Sequence, residues 1–291
     1  VSGVSSAAPL PAPGPTGIPP LFARLVDDAA VFPPGNAAMP DAVRQHLDWR
    51  EGERAALMGV FLCPASRLPE LITELVKAKP AKPVNLSLVI DTGLGGVPKA
   101  LSIVESRAEL LALRMVEMPA PADVDDVWLE RVNEFVPEDV IRVVEPRRGG
   151  PEWLEGIRRV VEHGSWPKIR CGGLSREAFP SVDEVADFLS VISAGEASFK
   201  ATAGLHNAVR HVDATTGFHH HGYLNLLVAT ARLLSGGDVR AALASEDGPA
   251  LAEEAGALSG QAAHAVRAVF GSYGSCSLLE PAEDLEGLGL L

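Results

Sequence analysis

Strand-length apolar runs alternate with helix-period stretches eight times along this chain, and that alternation limits its folds more than any other feature. The runs are Phe22–Phe32, Ala56–Cys63, Val84–Asp91, Leu110–Glu117, Asp139–Glu145, Lys168–Cys171, Ser198–Ala203 and Ser272–Ser277. Between them lie stretches with a 3.6-residue apolar period, such as Ser66–Lys77 with Leu68, Leu71, Ile72 and Leu75 on one stripe. Helices are also predicted over Pro40–Trp49, Val97–Glu105 and Asp123–Phe135, after Pro151, and from the capping box Ser181–Glu184 to Ile192. Two or three more fall between Tyr223 and Phe270, and a short last one near Leu285. Every connection is long enough for a crossover, so the strands are expected to run parallel. Eight strands in a chain of 291 residues predict an α/β fold of (β/α)8, or TIM-barrel, type as a single domain over residues 21–291. A doubly wound open sheet is the alternative. No strand is followed by GxGxxG, and GGVPKA at Gly95 lacks the rest of a phosphate-loop pattern.

Composition narrows the function. The formal net charge is −13, which argues against nucleic-acid binding. No apolar run is long enough to span a membrane. The first 20 residues are rich in Pro, Gly, Ala and Ser and lack the pattern of a signal peptide, so they are expected to form a flexible tail. Cys63, Cys171 and Cys276 are widely spaced and read as small, mostly buried residues, consistent with a reducing, cytoplasmic setting.

Candidate chemistry concentrates between Trp166 and Gly222. Lys168 and Lys200 each stand inside a short apolar strand, where a lysine is costly unless it is used or paired. Lys168 and Arg170 share a strand face, as do Lys200 and Thr202. In a barrel these residues meet at the C-terminal mouth, with Asp27, Asp91, Glu117, and Glu145 with Arg147, at the ends of other strands. Lys200 is the expected nucleophile, its pKa lowered by Lys168. Arg170 is expected to hold an anionic group, and Glu145 or His206 to move protons. Arg147, Thr202, Asp27, Asp91, Glu117 and His220 are further candidates for substrate binding. The competing reading pairs the lysines with Glu117 or Glu145 as structural bridges. His219, His220 and His221 are adjacent and cannot all face one point, and HExxH spacing is absent. No cofactor is therefore expected, the alternative being a divalent metal on carboxylate oxygens.

Lys168-Ile-Arg-Cys-Gly-Gly resembles the lysine strand KxxGG of deoxyribose-phosphate-aldolase-like barrels, and Lys200-Ala-Thr-Ala-Gly is similar to their Schiff-base strand KTSTG. KATAGLH from Lys200 to His206 also resembles the KTTPGLR segment of quinolinate-type phosphoribosyltransferases. The block KIRCGG…FKATAGLHN…HGYLNLL looks like that of a bacterial protein family with no assigned activity. The first resemblance implies a lyase of aldolase type acting on a small anionic carbonyl compound. The second implies a glycosyl or phosphoribosyl transferase with a cationic phosphate clamp. A non-catalytic barrel that binds an acid metabolite or a protein partner is the third expectation. A homo-oligomer is compatible with all three.

Overall fold

The computed structural model describes residues 17–150 and 152–291. Residues 1–16 of the expected tail, and Pro151, lie outside the described residues. Eight parallel strands close into a barrel: β1 (Val26–Asp28), β2 (Met58–Pro64), β3 (Val84–Val89), β4 (Leu111–Pro119), β5 (Ile141–Glu145), β6 (Trp166–Arg170), β7 (Phe199–Thr202) and, after a two-stranded hairpin of β8 (His211–Val212) and β9 (His219–His220), β10 (Phe270–Ser275). Strand β1 closes the ring by pairing with both β2 and β10. The open-sheet alternative is thereby excluded.

Helices α1 (Met39–Glu51), α2 (Leu68–Ala78), α3 (Val97–Glu105), α4 (Asp126–Phe135), α5 (Trp153–Glu162) and α6 (Val182–Ala194) follow the first six strands in turn. Four helices, not two or three, separate β9 from β10: α7 (Tyr223–Ser235), α8 (Val239–Ala244), α9 (Gly248–Gly256) and α10 (Gly260–Val269). Helix α11 (Leu279–Gly287) ends the fold. Side-chain caps account for several of these starts. Asp125, Ser181, Asp238, Asp247 and Ser259 each accept a backbone N–H of the first turn, and Ser181 with Glu184 completes the expected capping box.

The first strand is much shorter than Phe22–Phe32. Turns at both ends consume the rest: Phe22 N–H donates to Pro19 O, Arg24 takes a positive φ of 52°, and Phe32 N–H donates to Ala29 O. Among the described residues no helix is long and apolar enough to cross a membrane.

Two apolar clusters fill the space between strands and helices, and a small third one lies inside the barrel. The inner cluster holds Ala29, Val60, Leu62, Met115, Ile141 and Val143, with Phe32, Val89 and Trp166 against it. Trp166 packs over Gly271, where a Cβ would overlap the indole ring. In the register of β6 with β7, Lys168 stands opposite Lys200 and Arg170 opposite Thr202. A (β/α)8 interior is usually filled by branched apolar side chains. Here one layer is polar and charged, and it forms the site.

Candidate active site

Lys200 is wholly buried. Its Nζ lies 2.6 Å from Asp27 Oδ2 and 2.5 Å from Glu117 Oε1, with Met115 Sδ at 3.9 Å. The other oxygen of Glu117 reaches Lys168 Nζ at 3.0 Å, and Lys168 Nζ also lies 2.8 Å from Glu145 Oε2. Glu145 Oε1 in turn accepts from Arg170 Nε at 2.7 Å. Cation and carboxylate thus alternate through six side chains, Asp27–Lys200–Glu117–Lys168–Glu145–Arg170. The three positive and three negative charges cancel. Alternate inward positions on β1, β4, β5, β6 and β7 supply them, which is why residues far apart in sequence meet here.

The relay is graded by depth. Side-chain exposure rises from 0% at Lys200 to 7% at Lys168, 17% at Glu145 and 51% at Arg170. One end is sealed in the barrel and the other opens at the mouth.

Burial and pairing oppose each other along this chain of charges. Burial would neutralise Lys200, but the Asp27 and Glu117 carboxylates reverse that and hold its pKa above the usual lysine value. Burial likewise works against the charge of Lys168, and Glu117 and Glu145 overcome it, so its pKa is also raised. Burial would raise Glu117, yet Lys200 and then Lys168 hold it well below the usual carboxylate range. Glu145 follows the same pattern, lowered by Lys168 and Arg170 against its burial. The expectation that the lysines depress each other is therefore overturned. A carboxylate stands between them, so each amine is stabilised in its charged form.

Two buried hydroxyls complete the network. Ser87 Oγ donates to Glu117 Oε1 and Ser272 Oγ to Asp27 Oδ2, each at 2.6 Å. Asp27 Oδ1 accepts the Val60 N–H at 2.9 Å. Gly59 makes room for this carboxylate, because a Cβ there would overlap Asp27 Oδ1. Gly59→Ala is expected to push Asp27 off Lys200 and cost about 1–3 kcal/mol, the scale of overpacking, measured by urea unfolding. The serines and Gly59 escaped the sequence reading. The available signal was an inward-facing hydroxyl in each of two apolar strands, VNLSLV and FGSYGS.

The remaining candidates are elsewhere. Thr202 shares the inward face of Lys200, one layer nearer the mouth. Arg147 does not share a face with Glu145: β5 ends at Glu145, and Arg147 is exposed, lining a cleft of about 200 Å³ with Asp123, Trp153 and Arg159. Its neighbour Arg148 is the bonded one, 2.7 Å from Glu184 Oε1. Asp91 lies beyond the end of β3 and accepts from the backbone and hydroxyl of Ser66, tying two loops together. A cleft of about 440 Å³ between α5 and α6 belongs to the outer layer and is lined by none of the relay residues.

The candidate histidines lie between β7 and α7, His206 in the loop before the β8–β9 hairpin, His219 and His220 on β9 and His221 just after it. His206 Nδ1 is 3.8 Å from Cys276 Sγ and 3.2 Å from Glu280 Oε2, contacts that raise its pKa against partial burial. No hydrogen bond joins it to the relay among the described residues. The His220 ring lies 4.5 Å from that of Phe179 and 5.2 Å from that of His211; burial, then His211, lower its pKa. His221 is buried, bonds Pro180 O through Nε2 at 2.8 Å, and is pushed down to about 4 by burial. Among the described residues no group of three or more His, Cys, Asp or Glu is arranged to hold a metal ion. Burial pushes the Cys63 and Cys171 thiols up to about 12, which keeps both protonated at neutral pH.

Two glycines bring loops together above β6 and β7. A Cβ on Gly172 would lie 2.6 Å from Gly204 Cα, and Gly204 itself takes a φ of +69°. Side chains at either position would force the two loops apart.

No protein-family model matches the chain, and no curated protein is significantly similar to it.

Proposed function

We propose that this barrel is an enzyme of lyase or aldolase type that acts on a small anionic carbonyl compound at its C-terminal mouth through a lysine amine. The observation that carries the reading is the graded relay, in which alternating charges run from the wholly buried Lys200 through Lys168 and Glu145 to the half-exposed guanidinium of Arg170 at the mouth. Active sites of this fold lie at the same end.

The relay gives the two lysines different tasks. Lys200 was the nucleophile expected from sequence, but it has no exposed surface. We therefore assign the reacting amine to Lys168 and leave Lys200 to fix the charge of Glu117. Arg170 keeps its outer guanidinium edge for the anionic end of the substrate. When a carbonyl arrives, Glu145 or Glu117 takes the proton of the Lys168 ammonium. The freed amine adds to the carbonyl carbon. The oxygen leaves as water after protonation, and an iminium remains. The iminium accepts the electron pair of the breaking carbon–carbon bond while a relay carboxylate takes the proton of the hydroxyl on the departing carbon, which leaves as an aldehyde. A carboxylic acid of the relay then protonates the resulting enamine, and water hydrolyses the imine to release product and amine.

Reduction with borohydride in the presence of small aldehydes and 2-oxo acids, followed by peptide mass spectrometry, tests this. A stable adduct on Lys168 is expected. An adduct on Lys200 would return the nucleophilic role to the inner amine. Turnover without any adduct would exclude imine chemistry. A second reading, a barrel that binds an acid metabolite without turnover, is favoured by one observation: both lysines are held in their charged form by their carboxylates. Tight binding of an acid with neither adduct nor turnover would select it.

A further inference from the structure

The segments that leave β7 and β10 bring a second set of reactive side chains to the rim of the mouth, separate from the lysine relay. Cys276 follows Ser275, the last residue of β10. His206 comes shortly after the end of β7 at Thr202, and Glu280 is in the first turn of α11. His206 Nδ1 lies 3.8 Å from Cys276 Sγ, within reach of a sulfur hydrogen bond, and 3.2 Å from Glu280 Oε2. Thiol, imidazole and carboxylate therefore meet at one nitrogen, as a nucleophile, its base and the group that orients the base would.

Access and charge set this thiol apart from the other two. Cys63 and Cys171 are buried in the apolar clusters, whereas Cys276 is half-buried and the His206 side chain is 26% exposed. Contact with Cys276, then with Glu280, raises the His206 pKa against its burial and favours the charged ring. Cys276 also stands just before α11, and the N-terminal end of a helix favours a negative charge. The other charged or titratable groups nearby are Asp284 on α11, which accepts the Ala208 N–H, and His220 on the hairpin. The loop after β1 covers one side of the thiol: a Cβ on Gly35 would come within 2.9 Å of Cys276 Cβ. With that side closed, a small electrophile fits better than a bulky acyl donor.

We propose that Cys276 is a reactive thiol site, paired with His206 as thiolate and imidazolium, whose reaction partner is a small hydroperoxide. The thiolate attacks the terminal peroxide oxygen, which keeps its hydrogen. The sulfur–oxygen bond forms as the oxygen–oxygen bond breaks. Sulfur is oxidised by two electrons to a sulfenic acid, the peroxide is reduced, and the departing alkoxide or hydroxide takes the His206 proton. Cys63 and Cys171 are buried, so a small thiol from solution attacks the oxidised sulfur. Hydroxide leaves and is protonated to water, a mixed disulfide remains, and a second thiol restores Cys276. Glu280 is a positioning residue here, since it acts through the imidazole. None of these steps uses the lysine relay.

The test treats the full chain with hydrogen peroxide in the presence of dimedone, followed by peptide mass spectrometry, beside iodoacetamide alkylation rates from pH 5 to 9. A dimedone adduct is expected on Cys276 and none on Cys63 or Cys171. At pH 6 Cys276 should alkylate roughly tenfold or more faster than free cysteine, which is almost all thiol there because its pKa is about 8.5. His206→Ala should move the midpoint of the rate profile up towards about 8.5 and leave the rate at pH 9 close to that of the parent. Glu280→Gln changes a half-exposed side chain and keeps the site testable if the first variant misfolds; it should slow the reaction at pH 6 several-fold. A parent rate at pH 6 no faster than that of free cysteine, or a profile that neither variant moves, would overturn the pair. Rapid alkylation without a dimedone adduct would overturn the hydroperoxide as its partner.

Discussion

Glu117→Gln is expected to lower the unfolding free energy by about 3–5 kcal/mol at neutral pH, the cost of removing one partner from a buried ion pair. Glu117 is 1% exposed and, among the described residues, is the only carboxylate that touches both lysines. Its loss leaves the relay with three cations and two anions. The amide keeps an oxygen for the Ser87 hydroxyl but cannot offer two acceptors to two ammonium groups. Urea unfolding of parent and variant at pH 7 measures the difference. A loss below about 1 kcal/mol, the range of solvent-screened pairs, would show that water reaches this layer.

The parent should also carry a defined pH signature. Glu117 and Glu145 are lowered in the folded state, so their contribution is present above the unfolded value of about 4.3 and is lost as pH falls through their folded values. Lys168 and Lys200 are raised, so theirs is present below about 10.4 and is lost as pH rises through their folded values. Between those limits the relay contributes no slope.

Lys200→Met should cost a similar amount, about 3–5 kcal/mol near pH 8, with a slope the parent lacks. Asp27 and Glu117 both bind the Lys200 ammonium, at 2.6 and 2.5 Å. Without it, two buried carboxylates face each other across an apolar side chain. Burial and mutual repulsion then favour one proton on this pair in the folded state. The folded state binds the extra proton, so the variant loses stability as pH rises and regains part of it towards pH 5. Denaturation midpoints at pH 5, 6, 7 and 8 read that slope. Adding Asp27→Asn removes the stranded charge and leaves Glu117, Lys168, Glu145 and Arg170 in balance. The double variant should recover most of the loss and become flat with pH. A double variant no more stable than Lys200→Met alone would mean that packing around the methionine, and not charge, sets the cost.

Much of the barrel is legible without a structure because its cause is local. The apolar periods of 2 and 3.6 mark strands and helices, and Ser181 with Glu184 marks the start of α6. Lys168 and Lys200 stand out for a related reason, since an ammonium inside an apolar strand must have a use or a partner. Local pattern misleads where the chain leaves its regular path. Arg147 follows Glu145 at the spacing of a shared face, but the strand has already ended. Asp91 lies at the end of an apolar run yet bonds a neighbouring loop. His219, His220 and His221 are chemically identical in sequence, and only His221 is buried.

The sequence by itself determined the number and order of the barrel strands and of the first six helices, and that cations cluster on β6 and β7, because these depend on residues a few positions apart. The partners of those cations were decided by the tertiary structure alone. Glu117 is 51 residues from Lys168 and 83 from Lys200, and Ser272 is 245 from Asp27. Only the closure of the ring and the register of its strands bring such residues within hydrogen-bond distance. The sign of the lysine pKa shift turns on that closure. Two amines side by side would lose their protons, whereas two amines with a carboxylate between them keep theirs, because the nearest charge outweighs the burial.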